Sequence, residues 1–183
     1  MKALLRDVLT TFLLATVVYV GLSYTIQDYV IRQSSMMPAF QSGQRVLVNK
    51  IIYKFRQPAR GDVIILRPPQ STDPKAIPFI KRIIALPGES VAIKDGEVRV
   101  NGVVLNEPYI TEPPEYTYYL KEVPGNEYFV LGDNRFNSDD SHRGWTVPRQ
   151  YIIGKAWLSF WPLGKWGVVS NYDLPLQGVS PSP

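Results

Sequence analysis

Residues 79–100 read FIKRIIALPGESVAIKDGEVRV, and this stretch decides the fold class. It holds three short runs rich in Ile and Val, which is the composition of β-strands. The pair Asp95-Gly96 separates the second run from the third. Because such a pair favours the tight turn of a two-residue hairpin, we predict antiparallel pairing of the strands on either side of it.

The same β pattern continues through most of the chain after Arg32, with Pro, Gly, Asn and Asp between the runs. A second hairpin signal is the pair Asn101-Gly102. Residues 107–124 are rich in Pro and Tyr, and we expect them to leave the sheet as an extended excursion. The predicted fold is therefore mostly β and antiparallel, with strands at residues 45–52, 62–66, 79–85, 90–94, 97–100, 128–131 and 152–160.

An uncharged, mostly apolar run covers residues 8–27, VLTTFLLATVVYVGLSYTIQ. About twenty helical residues span the hydrocarbon core of a bilayer, so we predict one transmembrane helix. A cleaved secretory signal is the competing interpretation, but its apolar stretch is shorter and ends at a small-residue site. Lys2 and Arg6 precede the run, and Arg32 follows it. The positive-inside rule then places the N-terminus in the cytoplasm and the β domain on the other side of the membrane.

The length of 183 residues leaves room for one compact domain besides this helix. We divide the chain into a cytoplasmic tail at 1–7, the anchor at 8–27, an extracytoplasmic domain at 28–172 and a flexible tail at 173–183. The absence of cysteine excludes disulfides, thiolate metal sites and a cysteine nucleophile. A net charge of +4 fits nucleic acid or an anionic lipid surface equally well.

Three separate segments carry polar residues suited to hydrolysis. Ser35 lies in SSMMPAF, residues 34–40, where a turn or a helix cap is the ordinary role of serine. Lys81 lies inside an apolar strand, where burial can make the amine a base near neutral pH. An edge-strand lysine that blocks aggregation is the alternative.

The third segment, residues 131–145, reads LGDNRFNSDDSHRGW. Counted from Asp133, it lacks the glycine at the sixth position and the glutamate at the twelfth position that a calcium loop needs. Its Asp, Asn and Ser side chains can instead form hydrogen bonds with its own backbone.

Four segments, SSMMP, RGDVIIL, FIKRIIALPGE and VLGDNRFNSDDS, resemble in this order the sequence boxes of type I signal peptidases. The resemblance runs from the anchor to about Ala156. It implies a β catalytic domain of the signal-peptidase type that removes signal peptides from exported preproteins with a Ser/Lys dyad, without metal or cofactor. By motif position, Ser35 matches the nucleophile, Lys81 the general base and Ser138 the hydroxyl that orients the lysine.

The resemblance also assigns residues that support this dyad. Asp133 and Arg82 match a structural ion pair, and Asp140 matches the acid that holds the last loop. In the family an arginine usually follows the Asp-Ser pair of this loop, which is Asp140-Ser141 in this chain. This chain has His142 at that position, so we expect the next residue, Arg143, to pair with Asp140.

A second departure concerns the oxyanion hole. Gln33 stands where the family often has serine or glycine, so its amide is a candidate donor beside the Ser35 N–H. Substrate subsites for small residues, at A-x-A-like sites, match six apolar positions, for which core packing is the alternative: Ile31, Met36, Phe40, Val46, Phe79 and Ile80.

The expected partners are signal peptides and the lipid bilayer, with no nucleic acid, and the expected state is a monomer. The resemblance suggests a bacterial or thylakoid-type membrane. The run that contains Trp157, Trp161 and Trp166 fits either a strand or an aromatic surface at the membrane interface.

Three other functions fit part of the sequence. The single histidine, His142, is the only candidate base for a Ser/His/Asp hydrolase. Self-cleaving repressor proteases share Ser/Lys chemistry, but they are soluble, and the anchor argues against them. A non-enzymatic membrane receptor or scaffold is the third, and the presence of both Ser35 and Lys81 argues against it.

Overall fold

A computed structural model of the chain describes residues 2–73, 75–172 and 174–176. Its first element is the helix α1, Lys2–Thr25, which is long and apolar enough to cross a membrane by length and composition. Most of the predicted anchor, residues 8–27, lies in this helix. The helix begins earlier, and it ends before Ile26 because the backbone there pairs with Asn49 in a sheet.

The rest of the described chain is mostly β, as predicted. A short helix, α2, covers Ile52–Phe55. The strands are β1 Ile26–Val30, β2 Arg45–Asn49, β3 Val63–Leu66, β4 Phe79–Ala85, β5 Val91–Lys94, β6 Glu97–Val100, β7 Val103–Val104, β8 Tyr118–Leu120, β9 Glu127–Leu131, β10 Val147–Pro148, β11 Ile152–Trp161 and β12 Gly167–Val168.

The larger sheet has the order β1-β2-β11-β3-β4-β9-β10, and β12 pairs with β11. All of its pairs are antiparallel. The register sets Lys81 opposite Ile64 of β3, and Arg82 opposite Leu131 of β9. The edge-strand interpretation of Lys81 is therefore wrong, because β4 lies between two strands.

The smaller sheet has the order β7-β6-β5-β8, also antiparallel. The predicted hairpin between β5 and β6 is confirmed: Asp95 and Gly96 have φ values of 54° and 80°, the left-handed conformations that this turn requires. Strand β8 lies within the excursion, residues 107–124, where no strand was predicted. Its Tyr118 pairs with Ile93, so the excursion returns to the sheet.

The strand predicted at 45–52 ends at Asn49 instead. The side-chain oxygen of Asn49 accepts hydrogen bonds from the N–H groups of Ile51 and Ile52, at 3.1 and 2.9 Å. These bonds turn the backbone into α2, because a side chain that bonds nearby amides competes with the sheet ladder.

Buried apolar residues form three clusters. One lies between the smaller sheet and strands β4 and β9, and it includes Leu174. The predicted flexible tail at 173–183 is therefore wrong for Leu174, and most of that tail lies outside the described residues. A second cluster contains Met36 and Phe40, which belong to the same segment, residues 34–40, as Ser35. Their burial attaches this segment to the core.

Candidate active site

Two strands and the turns beside them bring a serine and a lysine together. Ser35 lies in the turn that follows β1, and Lys81 lies in the middle of β4. Lys81 Nζ is 2.7 Å from Ser35 Oγ, which is hydrogen-bonding distance. Both residues are buried, with 1% and 4% of their surface exposed. An amine and a hydroxyl are thus in direct contact away from bulk water.

Burial changes the proton affinity of this amine. Desolvation lowers the pKa of Lys81 to about 8, although the carboxylates of Asp140, Asp139 and Asp133 act in the opposite direction. With that pKa, roughly a tenth of the molecules hold a neutral amine at pH 7. A neutral amine can accept the Ser35 proton, so the pair has the chemistry of a nucleophile and its base.

The loop at residues 131–145 holds the nucleophile segment in place. The Asn134 backbone N–H donates to the Ser35 carbonyl at 3.0 Å, and the Asn134 side-chain amide donates to the Ser34 carbonyl at 3.3 Å. Asn137 donates to Ser34 Oγ at 2.9 Å. The sequence predicted hydrogen bonds between the side chains of this loop and its own backbone, but not these hydrogen bonds to Ser34 and Ser35. The many Asn and Asp residues of the loop were the feature of the sequence that could have indicated them.

Gly132 lies between the nucleophile segment and Ser138. A side chain on Gly132 would overlap both the Ser35 carbonyl and Ser138 Oγ, so only glycine fits here. The Ser138 hydroxyl is buried, and within the described residues its Oγ has no hydrogen bond of normal geometry. The structure therefore places Ser138 beside the site but not in a hydrogen bond with Lys81.

The ion pair between Arg82 and Asp133 is present. Arg82 Nε and Nη2 donate to the two carboxylate oxygens at 2.9 and 2.7 Å, and Arg82 Nη1 donates to the carbonyls of Gly61 and Ser170. Burial raises the pKa of Asp133, and the arginine opposes that rise. The pair joins β4 to the start of the 131–145 loop.

Asp140 has a different partner from the one predicted. Its carboxylate lies 2.7 Å from His142 Nδ1 and accepts a hydrogen bond from the Gly132 N–H at 2.9 Å. Burial raises the pKa of Asp140, but the bonds from His142 and Gly132, with the nearby Ser138 hydroxyl, outweigh burial and lower it. The prediction of Arg143 as partner is wrong, because that side chain points to solvent from the turn Ser141–Arg143.

Two cavities open around the dyad. One, of about 310 Å³, is lined by Ser35, Gln33, Asn137 and Asp139 among others. Gln33 thus lies beside the nucleophile, and the Ser35 N–H donates to no other group in the described part of the chain. An amide side chain and a free backbone N–H are the donors that an oxyanion hole needs.

The second cavity is much smaller, about 20 Å³, and lies between β1 and β4. Of the six predicted subsite residues, Ile31 and Ile80 line it. Met36 and Val46 are instead fully buried in the cluster beneath. The remaining two lie elsewhere: Phe40 lines a different cavity, and the ring of Phe79 lies 5.2 Å from Lys81 Nζ.

Known proteins are similar to this chain over most of its length. The sequence model of signal peptidase, peptidase S26, matches residues 4–161. Probable signal peptidase I-2 of Synechocystis sp. is 39% identical over 176 residues, which are 94% of this chain and 80% of that protein. Signal peptidase I of Leptolyngbya laminosa is 40% identical over 168 residues, or 89% of this chain and 83% of that protein.

A plant relative is also similar. Thylakoidal processing peptidase 1, chloroplastic, of Arabidopsis thaliana is 34% identical over 171 residues, which are 87% of this chain and 49% of that protein. The fold, the site and these similarities define a serine endopeptidase, an enzyme that hydrolyses peptide bonds. The chain belongs to the signal peptidase family, peptidase S26, of the type I class.

Proposed function

We propose that this enzyme removes signal peptides from exported preproteins by means of a dyad of Ser35 and Lys81. The contact of 2.7 Å between the buried Lys81 amine and the Ser35 hydroxyl carries the proposal. His142, the alternative base, contacts Asp140 rather than Ser35. The geometry therefore favours lysine as the acceptor of the serine proton.

The reaction follows from this contact. The neutral Lys81 amine accepts the Ser35 proton while Oγ attacks the carbonyl carbon of the scissile bond. The N–H of Ser35 and the side-chain amide of Gln33 donate to the oxyanion that forms. The lysine ammonium then protonates the leaving amine as the C–N bond breaks, which gives an acyl-enzyme. The amine, neutral again, takes a proton from water while the water oxygen attacks the ester carbonyl carbon. As the ester bond breaks, the lysine ammonium returns this proton to Ser35 Oγ, which releases the signal peptide as an acid and restores the neutral amine.

Ser138 has a supporting role in this scheme. Its hydroxyl is buried beside Gly132, near Asp140, and it lacks a hydrogen bond of normal geometry within the described residues. A buried hydroxyl without a partner is costly, so it gains by bonding a polar group of the site. We assign it to orient the Lys81 amine when the lysine is neutral.

Specificity follows from the smaller cavity. About 20 Å³ between Ile31 and Ile80 holds little more than one water molecule or a methyl group. Alanine before the cleaved bond fits this space, whereas a larger side chain overlaps its walls. The enzyme therefore cleaves after small residues, at A-x-A-like sites.

The bilayer holds the enzyme close to its substrates. Helix α1 spans the membrane with its N-terminus in the cytoplasm, and the β domain lies on the extracytoplasmic face of a bacterial or thylakoid-type membrane. Exposed apolar side chains around β11 and β12 form an aromatic patch that contacts the membrane interface: Trp157, Trp161, Leu163, Trp166 and Val168. Because signal peptides enter the same bilayer, enzyme and substrate meet at high effective concentration.

Cleavage of a synthetic preprotein in detergent tests the dyad. Ser35→Ala and Lys81→Ala should each abolish cleavage, while Lys94→Ala, an exposed lysine on β5, should leave the rate unchanged. His142→Ala should retain activity that depends on Lys81. If either dyad variant kept the wild-type rate, the proposed roles would be wrong.

A further inference from the structure

The excursion, residues 107–124, makes a buried ion pair with the 131–145 loop. The carboxylate oxygens of Glu107 accept hydrogen bonds from both terminal nitrogens of Arg135, at 2.8 and 2.6 Å. The side chains are 5% and 0% exposed. The hydroxyl of Tyr109 also donates to Glu107 at 2.7 Å. An Arg–carboxylate pair with two parallel bonds fixes orientation as well as distance, so the start of the excursion is fastened to the loop.

The same excursion contacts the loop again near its middle, at Tyr116. The rings of Tyr116 and His142 are stacked, with centroids 4.2 Å apart and planes inclined by 24°. His142 is in turn 2.7 Å from the Asp140 carboxylate, which accepts from the Gly132 N–H. A chain of direct contacts thus runs from the excursion to the glycine beside the nucleophile.

A third contact reaches the strand that carries the base. The Arg82 guanidinium lies 4.1 Å from the ring centre of Tyr109 and 5.1 Å from that of Tyr172, within the range of cation–π attraction. Tyr109 belongs to the excursion, and Arg82 is the neighbour of Lys81 on β4. The excursion therefore touches both the loop behind the nucleophile and the strand of the base.

The loop needs this support because it has little regular structure of its own. Apart from the short turn Ser141–Arg143, residues 132–146 form no helix or strand. Asn134 and Asn137 of this loop hold Ser34 and Ser35 through hydrogen bonds. A shift of the loop is therefore passed to the nucleophile, and a displacement of about 1 Å at a reacting atom can cost roughly a hundredfold in rate.

We propose that Tyr116 and His142 are positioning residues for catalysis, whose ring stack holds Asp140 and the loop so that Ser35 stays aligned with Lys81. The inference rests on the proposed dyad. In the part of the chain that the structure describes, neither side chain makes a hydrogen bond with Ser35 or Lys81. Through this stack the excursion contributes to the rate of cleavage as well as to the stability of the domain.

Steady-state kinetics of the full-length enzyme in detergent test this role. Tyr116→Leu, which removes the ring, should lower kcat roughly ten- to a hundredfold while KM changes by less than about threefold. Tyr116→Phe keeps the ring and loses only a buried hydroxyl without a hydrogen bond in the described residues, so kcat should stay near wild type. If Tyr116→Leu does not fold, His142→Asn keeps a donor for Asp140 without the ring, and the same loss of kcat is expected.

A matched control separates positioning from stability. Tyr118 lies in β8 of the same excursion, but its ring packs on Phe129 in the core, with centroids 5.5 Å apart. Tyr118→Leu should lower the melting temperature and leave kcat unchanged. Wild-type kcat in Tyr116→Leu, or an equal loss of kcat in Tyr118→Leu, would overturn the inference. Either result leaves the dyad standing as long as Ser35→Ala is inactive, whereas an active Ser35→Ala refutes the dyad itself.

Discussion

Arg82 and Asp133 form a two-point ion pair whose side chains are 1% and 0% exposed. Lys81, the preceding residue of β4, points to the other face of the sheet and contacts Ser35. Two adjacent positions of one strand thus carry an arginine in a buried ion pair and a lysine whose neutral amine can act as a base. The ion pair anchors the strand on one face, and the proposed dyad lies on the other.

Arg82→Gln should strongly destabilise the enzyme, because it leaves the Asp133 carboxylate buried without its cation. Loss of one partner of a buried pair costs roughly 3–5 kcal/mol. Thermal unfolding in detergent, followed by circular dichroism, measures the change. Arg99→Gln is the control, because Arg99 pairs with Glu97 at the surface and such pairs contribute about 1 kcal/mol or less. Equal effects of the two substitutions would contradict the structural role of Arg82.

The rate of cleavage should rise with pH and level off above about pH 8. Only the neutral Lys81 amine can accept the Ser35 proton, and burial lowers the pKa of Lys81 to about 8. Near pH 6, kcat/KM should therefore be about a hundredfold below its plateau. A pH profile with a short peptide substrate checks this. A profile that is flat from pH 6 to pH 8 would rule out a lysine base with this pKa.

Lys81→Met should make the enzyme inactive but more stable at neutral pH. The pKa of Lys81 falls from 10.5 to about 8 on folding, so the unfolded chain binds more protons between these values. Folding therefore carries a penalty of roughly 3 kcal/mol at pH 7, which fades as the pH rises from about 8 towards 10.5. Melting temperatures of wild type and Lys81→Met should converge over that interval. The exposed Lys94→Met should show no such convergence.

Gly132→Ala should reduce kcat by about a hundredfold or more, because the added methyl group displaces Ser138 or the Ser35 carbonyl. Gly125→Ala is the matched control, since a side chain there meets no atom within 4 Å. Both substitutions change one hydrogen into a methyl group. Equal activity of the two variants would show that the space between loop and nucleophile is not needed for turnover.

Ile80→Ala should widen the specificity of the enzyme. Ile80 lines the cavity of about 20 Å³, so its truncation makes room for valine before the cleaved bond. Ile93→Ala is the control, because Ile93 is equally buried but belongs to the cluster beside the smaller sheet. Both should lose roughly 2–5 kcal/mol of stability. Mass spectrometry of the products measures how fast each variant cleaves peptides that have alanine or valine immediately before the scissile bond. If Ile80→Ala keeps the wild-type preference for alanine, the assigned pocket is wrong.

The sequence predicted the strands and the hairpin better than the ends of the elements. The Asp95-Gly96 turn is local, because the conformation of two residues determines it. The end of β2 depends instead on Asn49, whose side chain bonds two amides that only the folded loop presents. The boundary between α1 and β1 likewise depends on pairing with β2, a contact about twenty residues away.

For the site, the order of the four sequence segments indicated Ser35 and Lys81, but not how they are supported. The stack of Tyr116 on His142 joins residues of no common motif, so no spacing in the chain reveals it. Both His142 and Arg143 are near Asp140 in the sequence, but the turn Ser141–Arg143 directs only the His142 side chain towards the Asp140 carboxylate. Such choices depend on backbone direction, which a pattern of residue types does not contain.

The residues of the site lie far apart in the sequence, so they are synthesised at different times. Ser35 lies 46 positions before Lys81, and the amide that holds Ser34 Oγ comes from Asn137, a further stretch of chain away. Translation therefore delivers the nucleophile long before its supports. We expect a nascent enzyme to be inactive until residues beyond the 131–145 loop have been made and the loop has docked on Ser34 and Ser35. Polypeptides beside the ribosome are therefore exposed to this protease only while its site is incomplete.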